Sequence, residues 1–164
     1  MNRKYYYFVV IVCVLVFSIW YLIASSDRRK INRVFTRVSE QVEKKHGEPF
    51  LVSATKAQAL AALVAKEFSF SAPEIGAKGT LSSEKVASVV NLVRSQESGI
   101  TAHFENLSIA FPEKDVADVN GDIFFNGETH NFGFPRGIDR KVKARLLKDA
   151  DSRHWRFSDV EIVK

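Results

Sequence analysis

Apolar and polar positions fall into three regimes along the chain. From Tyr5 to Ala24 the residues are almost continuously apolar, and Ser18 is the one small polar side chain among them. A helix of that length rises about 30 Å, the thickness of a bilayer's hydrocarbon core. The run therefore predicts a transmembrane helix, with Tyr5, Tyr6 and Tyr7 at one interface and Trp20 and Tyr21 near the other, where amphipathic rings settle. A cleaved leader is the alternative, because Arg3 and Lys4 give a charged start and Ala24-Ser25-Ser26 a small-residue cleavage pattern. Leader cores are typically about 7–15 residues, so the length favours a retained anchor.

Beyond Asp27 the apolar residues recur at helical spacing. Asp27 is placed to cap a helix whose stripe is Ile31, Val34, Phe35, Val38 and Val42, closed by Lys44-Lys45-His46-Gly47. After Glu48-Pro49 a second helix is predicted from Ser53 or Thr55, with Ala57, Leu60, Ala61, Val64 and Phe68 on one side. Ser69 to Lys78, which contains Pro73 and Gly76, reads as a loop or a short extended piece. A third helix follows Leu81, capped by Ser82 or Ser83, with Val86, Val89, Val90 and Val93 as its stripe.

From Ile100 the period becomes two. Thr101–Phe111, Val116–Asn126, Thr129–Phe134, Arg140–Lys148 and Trp155–Val163 read as strands, and Asn126-Gly127 as a tight turn. Short connections suit an antiparallel meander. Phe104 has the opposite parity to Leu107, Ile109 and Phe111, and Trp155 and Phe157 the opposite parity to Val160 and Ile162. A strand changes its buried parity only through an extra residue, so bulges are predicted near Glu105–Asn106 and Ser158–Asp159, bending the sheet. The fold class is α+β: an N-terminal transmembrane helix (1–26), then a domain (27–164) of three helices and a curved antiparallel sheet.

Helices followed by a curved meander resemble the nuclear transport factor 2-like superfamily and its cystatin-like half-cone. The stretch from Lys143 to Val163, with Asp149-Ala-Asp-Ser-Arg-His-Trp155-Arg-Phe, resembles that superfamily's closing hairpin, and Ile109 to Asp122 its first hairpin. The resemblance implies a half-cone fold, membrane-anchored bacterial members among its relatives, and pairing through the open face of the sheet. It carries no activity by itself.

Net charge adds little: the chain is formally +5, of which Arg3 and Lys4 supply two, so no nucleic-acid partner is implied. Arg3 and Lys4 favour a cytoplasmic tail, whereas Arg28, Arg29, Lys30, Arg33 and Arg37 after the span pull the other way by the positive-inside rule. A strict count favours the opposite topology, but the short charged tail has the shape of an uncleaved export signal, so a domain on the periplasmic or extracytoplasmic side of an inner (plasma) membrane is expected, with the reverse orientation as the alternative. Lone Cys13 permits no internal disulfide.

Enzymes of the superfamily place a carboxylate or an Asp–His pair inside the cone. Here every Tyr (Tyr5, Tyr6, Tyr7 and Tyr21) lies in the apolar run, so the domain has no Tyr oxyanion donor, and no Cys or His cluster has metal-ligand spacing. His103 and Asp122 are the residues to examine for interior chemistry; His46, His130 and His154 sit at a helix end, beyond a turn and at a turn exit. Lys141, Lys143 and Arg145 alternate with Val142, Ala144 and Leu146, giving either a solvated, charge-protected strand or a surface for an acidic partner. Phe124, Phe132 and Phe134 suit a binding face or the core. No catalytic residue, cofactor or metal is assigned. The sequence thus predicts a single-pass membrane-anchored binding or assembly module. Its expected contacts are the bilayer through residues 5–24, a homodimer and an unidentified protein partner. A small-ligand-binding or weakly catalytic cone interior is the alternative.

Overall fold

In the computed structural model the described residues are 3–73, 76–127 and 137–163. The side chains of 3–11, 15–24 and Ile138 lie outside that description. The chain forms two compact units, Met1–Arg33 and Val34–Lys164. A single helix, α1 (Arg3–Val42, 40 residues), supplies the first and enters the second. Asp27 does not start a helix as its type suggests. It sits within α1 and pairs with Lys30 at 3.5 Å, an i,i+3 contact. Among the described residues no helix is long and apolar enough to cross a membrane. The apolar run itself, with Tyr5, Tyr6, Tyr7, Trp20 and Tyr21, has most of its side chains outside them.

In the second unit α2 (Phe50–Ala61) follows Pro49, and its buried side is Ser53, Ala57, Leu60 and Ala61. It stops seven residues short of the predicted Phe68. Val64–Ala72 is instead strand β1, paired antiparallel with β2 (Ala77–Ser82) in the register Phe68↔Leu81 and Phe70↔Gly79. Val64 and Phe68 satisfy the helical spacing of Leu60, but Phe68-Ser69-Phe70-Ser71 also alternates, and in so short a stretch the two periods are indistinguishable. Helix α3 (Ser83–Gln96) begins as predicted, with the Ser82 hydroxyl accepting the Lys85 N–H at 3.4 Å. Its buried row is Val86, Ala87 and Arg94, while Val89 of the predicted stripe is 47% exposed.

Four further strands, β3 (Ile100–Glu113), β4 (Val116–Gly127), β5 (Ile138–Lys148) and β6 (Trp155–Val163), complete a six-stranded sheet of order β2-β1-β6-β5-β4-β3. β3 to β6 form the antiparallel meander read from the sequence. The pairing of β1 with β6 is parallel and was not anticipated. It is possible because the whole of β2, α3 and the meander lies between them, a long enough crossover.

Both predicted bulges are present. In β3 the register steps from Glu105↔Asp122 to Ser108↔Asn120, with Asn106 at φ +54°. In β6 it steps from Arg145↔Asp159 to Leu146↔Phe157, leaving Ser158 as the extra residue. Gly121 lies across from the β3 bulge, where a Cβ would stand 2.5 Å from Leu107 Cδ2 and 3.0 Å from the Glu105 carbonyl. A side chain there would force Leu107 to move and would press on the Glu105 carbonyl, so glycine suits that close approach. The Asn126-Gly127 turn is a misreading: both residues belong to β4, opposite Thr101 and Ile100, and Phe125 pairs with Ile138. The strand expected over 129–134, with His130, Phe132 and Phe134, lies outside the described residues.

The bulges curve the sheet into an α+β half-cone. Its inner face carries Ala102, Ile109, Ala117, Val119, Val142, Ala144, Leu146, Trp155 and Phe157, all buried. Phe35 of α1 meets Phe104 and Phe157 edge-on, each with ring centroids 5.1 Å away. This aromatic trio fills the space between α1 and the sheet.

Candidate functional sites

Because strand side chains alternate, the positions between these buried ones form the outer face of the sheet. β4 contributes Asp118, Asn120, Asp122 and Phe124; β5 contributes Lys141, Lys143 and Arg145; β6 contributes Asp159 and Glu161. The register sets Arg145 between Asp118 and Asp159, Lys143 between Asn120 and Glu161, and Lys141 opposite Asp122. Arg145 grips Asp118 with both ends of its fork, Nε to Oδ1 at 2.8 Å and Nη2 to Oδ2 at 3.2 Å. That hydrogen bonding, reinforced by the opposite charge, holds the Asp118 carboxyl below the usual range and raises Arg145 in turn. Lys143 and Glu161 approach at 3.9 Å. These six residues, Asp118, Asn120, Lys143, Arg145, Asp159 and Glu161, line an open groove of about 520 Å³ on the outer face.

His103 and Asp122, the sequence candidates for interior chemistry, are also on this face. The His103 side chain is 59% exposed, stacks on Phe124 with centroids 4.8 Å apart and planes 12° off parallel, and has Nε2 3.8 Å from Glu105 Oε1. Asp122 accepts a hydrogen bond from Asn106 Nδ2 at 2.8 Å. The structure therefore gathers Phe124, His103, Asp122, Lys141, Lys143 and Arg145 on one exposed surface and turns all of them away from the cone interior.

Among the described residues the most deeply buried charged group is one the sequence pattern did not single out. Arg94, 1% exposed, donates from Nε to Ser53 Oγ at 2.9 Å and from Nη1 to the carbonyls of Gln41 at 2.9 Å and Val42 at 2.7 Å, while Nη2 pairs with Glu48 Oε1. The last carbonyls of a helix have no partner within it, and the dipole there favours a cation. Arg94 meets both needs for α1, in place of the Lys44-Lys45-His46-Gly47 closure expected from the sequence. Lys56 Nζ adds bonds to the Glu43 carbonyl at 2.8 Å and to Glu48 Oε2 at 2.7 Å. Lys44 Nζ turns to the carbonyls of Arg94 and, at 2.6 Å, Glu97. Burial pushes the Glu48 carboxyl up, but the hydrogen bonds and charges of Lys56 and Arg94 outweigh it, and Glu48 sits below its ordinary value.

A legible signal for Arg94 existed, since it continues the row Val86–Val90 at i+4 and i+8 on the buried side of α3. Among the described residues no buried side-chain nitrogen or oxygen lacks a hydrogen-bond partner, so the cluster's capacity is spent on joining α1, α2 and α3. No group of three His, Cys, Asp or Glu able to hold a metal occurs among the described residues.

Solved structures share this architecture. The hexachlorocyclohexane dehydrochlorinase LinA-type3 of Novosphingobium barchaimii is similar over 86% of this chain and 88% of its own, at 17% identity and a TM-score of 0.64. An NTF-2-like protein of unknown function from Pseudomonas aeruginosa is similar over 83% and 95% at 15% identity and a TM-score of 0.57. ActVI-ORFA of Streptomyces coelicolor is similar over 84% and 96% at 8% identity and a TM-score of 0.61. No protein-family model and no curated protein matches the sequence. At these identities the likeness is one of fold, and the fold is the NTF2-like half-cone.

Proposed function

We propose that the chain is a non-catalytic binding module anchored in a membrane as a single-pass protein, with the outer face of its sheet as the docking surface. The observation that carries this reading is the exposed pattern of charge across the strands. Asp118 and Asp122 on β4 flank the basic column Lys141, Lys143 and Arg145 on β5, which is flanked again by Asp159 and Glu161 on β6. A two-fold contact that sets β5 of one copy against β6 of another brings Lys143 and Arg145 to face Asp159 and Glu161, so a second copy of this chain is the first occupant to expect. The stacked Phe124 and His103 supply an aromatic anchor beside the charged columns.

The apolar run 5–24, carried on a helix backbone continuous to Val42, supports the anchor. Arg3 and Lys4 ahead of the run support an extracytoplasmic domain on a plasma membrane, against the opposing pull of Arg28, Arg29, Lys30, Arg33 and Arg37. The full chain in detergent micelles is the material for the test. Concentration-dependent dimers should weaken in Lys143→Glu and in Glu161→Lys, and return in the charge-exchanged double variant. A chain that stays monomeric at high concentration, with Phe124→Ala leaving every crosslinked partner unchanged, sinks the proposal.

The competing reading, a small-ligand or weakly catalytic interior, draws support from the LinA-type neighbour being a dehydrochlorinase. It requires a polar group pointing into the cone, and His103 and Asp122 point outward. A small apolar compound that protects the buried ring of Trp155 from quenching would favour it over the docking reading.

A further inference from the structure

We infer that Arg28, Arg29, Lys30 and Arg33 of the first unit form a surface for anionic lipid headgroups. The inference rests on the anchor proposed above and adds the class of lipid the anchor selects. All four side chains are exposed. At about 100° per residue, Arg29, Lys30 and Arg33 fall within roughly 100° of arc on α1. No acidic residue occurs between Asp27 and Glu40. Asp27 engages Lys30 at 3.5 Å with half of the Lys30 side chain still exposed, and Arg29 Nε reaches the Ser25 carbonyl at 3.4 Å.

Ala24, the last residue of the apolar run, lies one helical turn before Arg28. That distance places the basic cluster at headgroup depth whenever the run spans a bilayer, with the guanidinium fork matched to phosphate oxygens. A solvated helix face needs no such bias of sign, because mixed charges support an exposed helix better than a row of like ones. A soluble polyanion would suit the same charges, but the adjoining apolar run fits only the membrane.

The test uses the full chain reconstituted in phosphatidylcholine vesicles containing phosphatidylglycerol, with spin-labelled forms of each lipid reporting association at the protein. The anionic lipid should be preferred about fivefold, the factor for one basic contact near a membrane surface. The preference should fall to about one in the Arg28→Gln, Arg29→Gln, Lys30→Gln, Arg33→Gln variant, and should shrink in high salt. Gln is a good helix former, so α1 survives the change. Alkaline carbonate extraction separates the two claims. A ratio near one in a carbonate-resistant chain overturns this inference and leaves the anchor standing, whereas release by carbonate overturns the anchor and the inference with it. A ratio near one together with heparin capture that the variant loses assigns the cluster to a soluble polyanion and also overturns it.

Discussion

Arg94→Met tests the buried cluster most directly. Methionine keeps an unbranched apolar stem about as long as arginine's out to Nε, so the packing of the stem is retained while the rest of the guanidinium is removed. The carbonyls of Gln41 and Val42 then lose their donor and Glu48 keeps only Lys56. Breaking a buried ion pair by deleting one partner costs about 3–5 kcal/mol, a large share of the roughly 5–15 kcal/mol that holds a domain together. At about 2–4 °C per kcal/mol, Tm should fall by roughly 6–20 °C. Unfolding of the full chain in detergent, followed through Trp155 in a Trp20→Phe background, gives the measurement. Trp155 is 3% exposed, so its emission reports the core.

Glu48→Gln should destabilise separately, and the double variant should cost less than the sum, because the two residues share one interaction. The pH dependence has a definite sign. The folded Glu48 pKa lies below the unfolded value of about 4.3, so its contribution is complete above that value and is lost as pH falls through the depressed folded one. Glu48→Gln should therefore flatten the acid limb of stability. An Arg94→Met loss under about 1 kcal/mol, or an acid limb unchanged in Glu48→Gln, refutes the assignment of this cluster as the joint of the three helices.

Two further substitutions probe the curvature and the core. Gly121→Ala forces its methyl against the Glu105 carbonyl and Leu107, and should cost about 1–3 kcal/mol in urea unfolding; a neutral result would mean that the β3 bulge yields freely. Phe35→Ala removes the ring that both Phe104 and Phe157 contact, and a loss of about 3–5 kcal/mol is expected by the same assay. A loss nearer 1 kcal/mol would show that the cone interior collapses to fill the gap.

The parts of the fold that could be read from the sequence were those where side-chain parity carries the information. The mismatch of Phe104 with Leu107, and of Phe157 with Val160, located both bulges, because a bulge is the physical means by which a strand exchanges its buried face. The alternation of Val142, Ala144 and Leu146 with Lys141, Lys143 and Arg145 likewise assigned the two faces of β5. The β1–β2 hairpin was hidden because its apolar residues continue the spacing of α2. The parallel partnership of β1 and β6 depends on tertiary closure, which no local pattern encodes. His103 and Asp122 were ambiguous for a related reason: parity gives a face, and only the register with buried neighbours says which face is inside. Arg94 was missed because a charged residue within an apolar row looks like an interruption until the helix end it serves is known.

The sixth strand in chain order, Trp155–Val163, is third from one margin of the sheet, hydrogen-bonded on one side to β5 and on the other to β1. Until β6 is in place no strand hydrogen-bonds the β1–β2 hairpin to the meander, and two open margins await the same missing piece. A chain stopped before Trp155 would leave the β1–β2 hairpin and the β3–β5 ribbon each with an unpaired margin, exposing adhesive backbone to proteases and to other nascent chains.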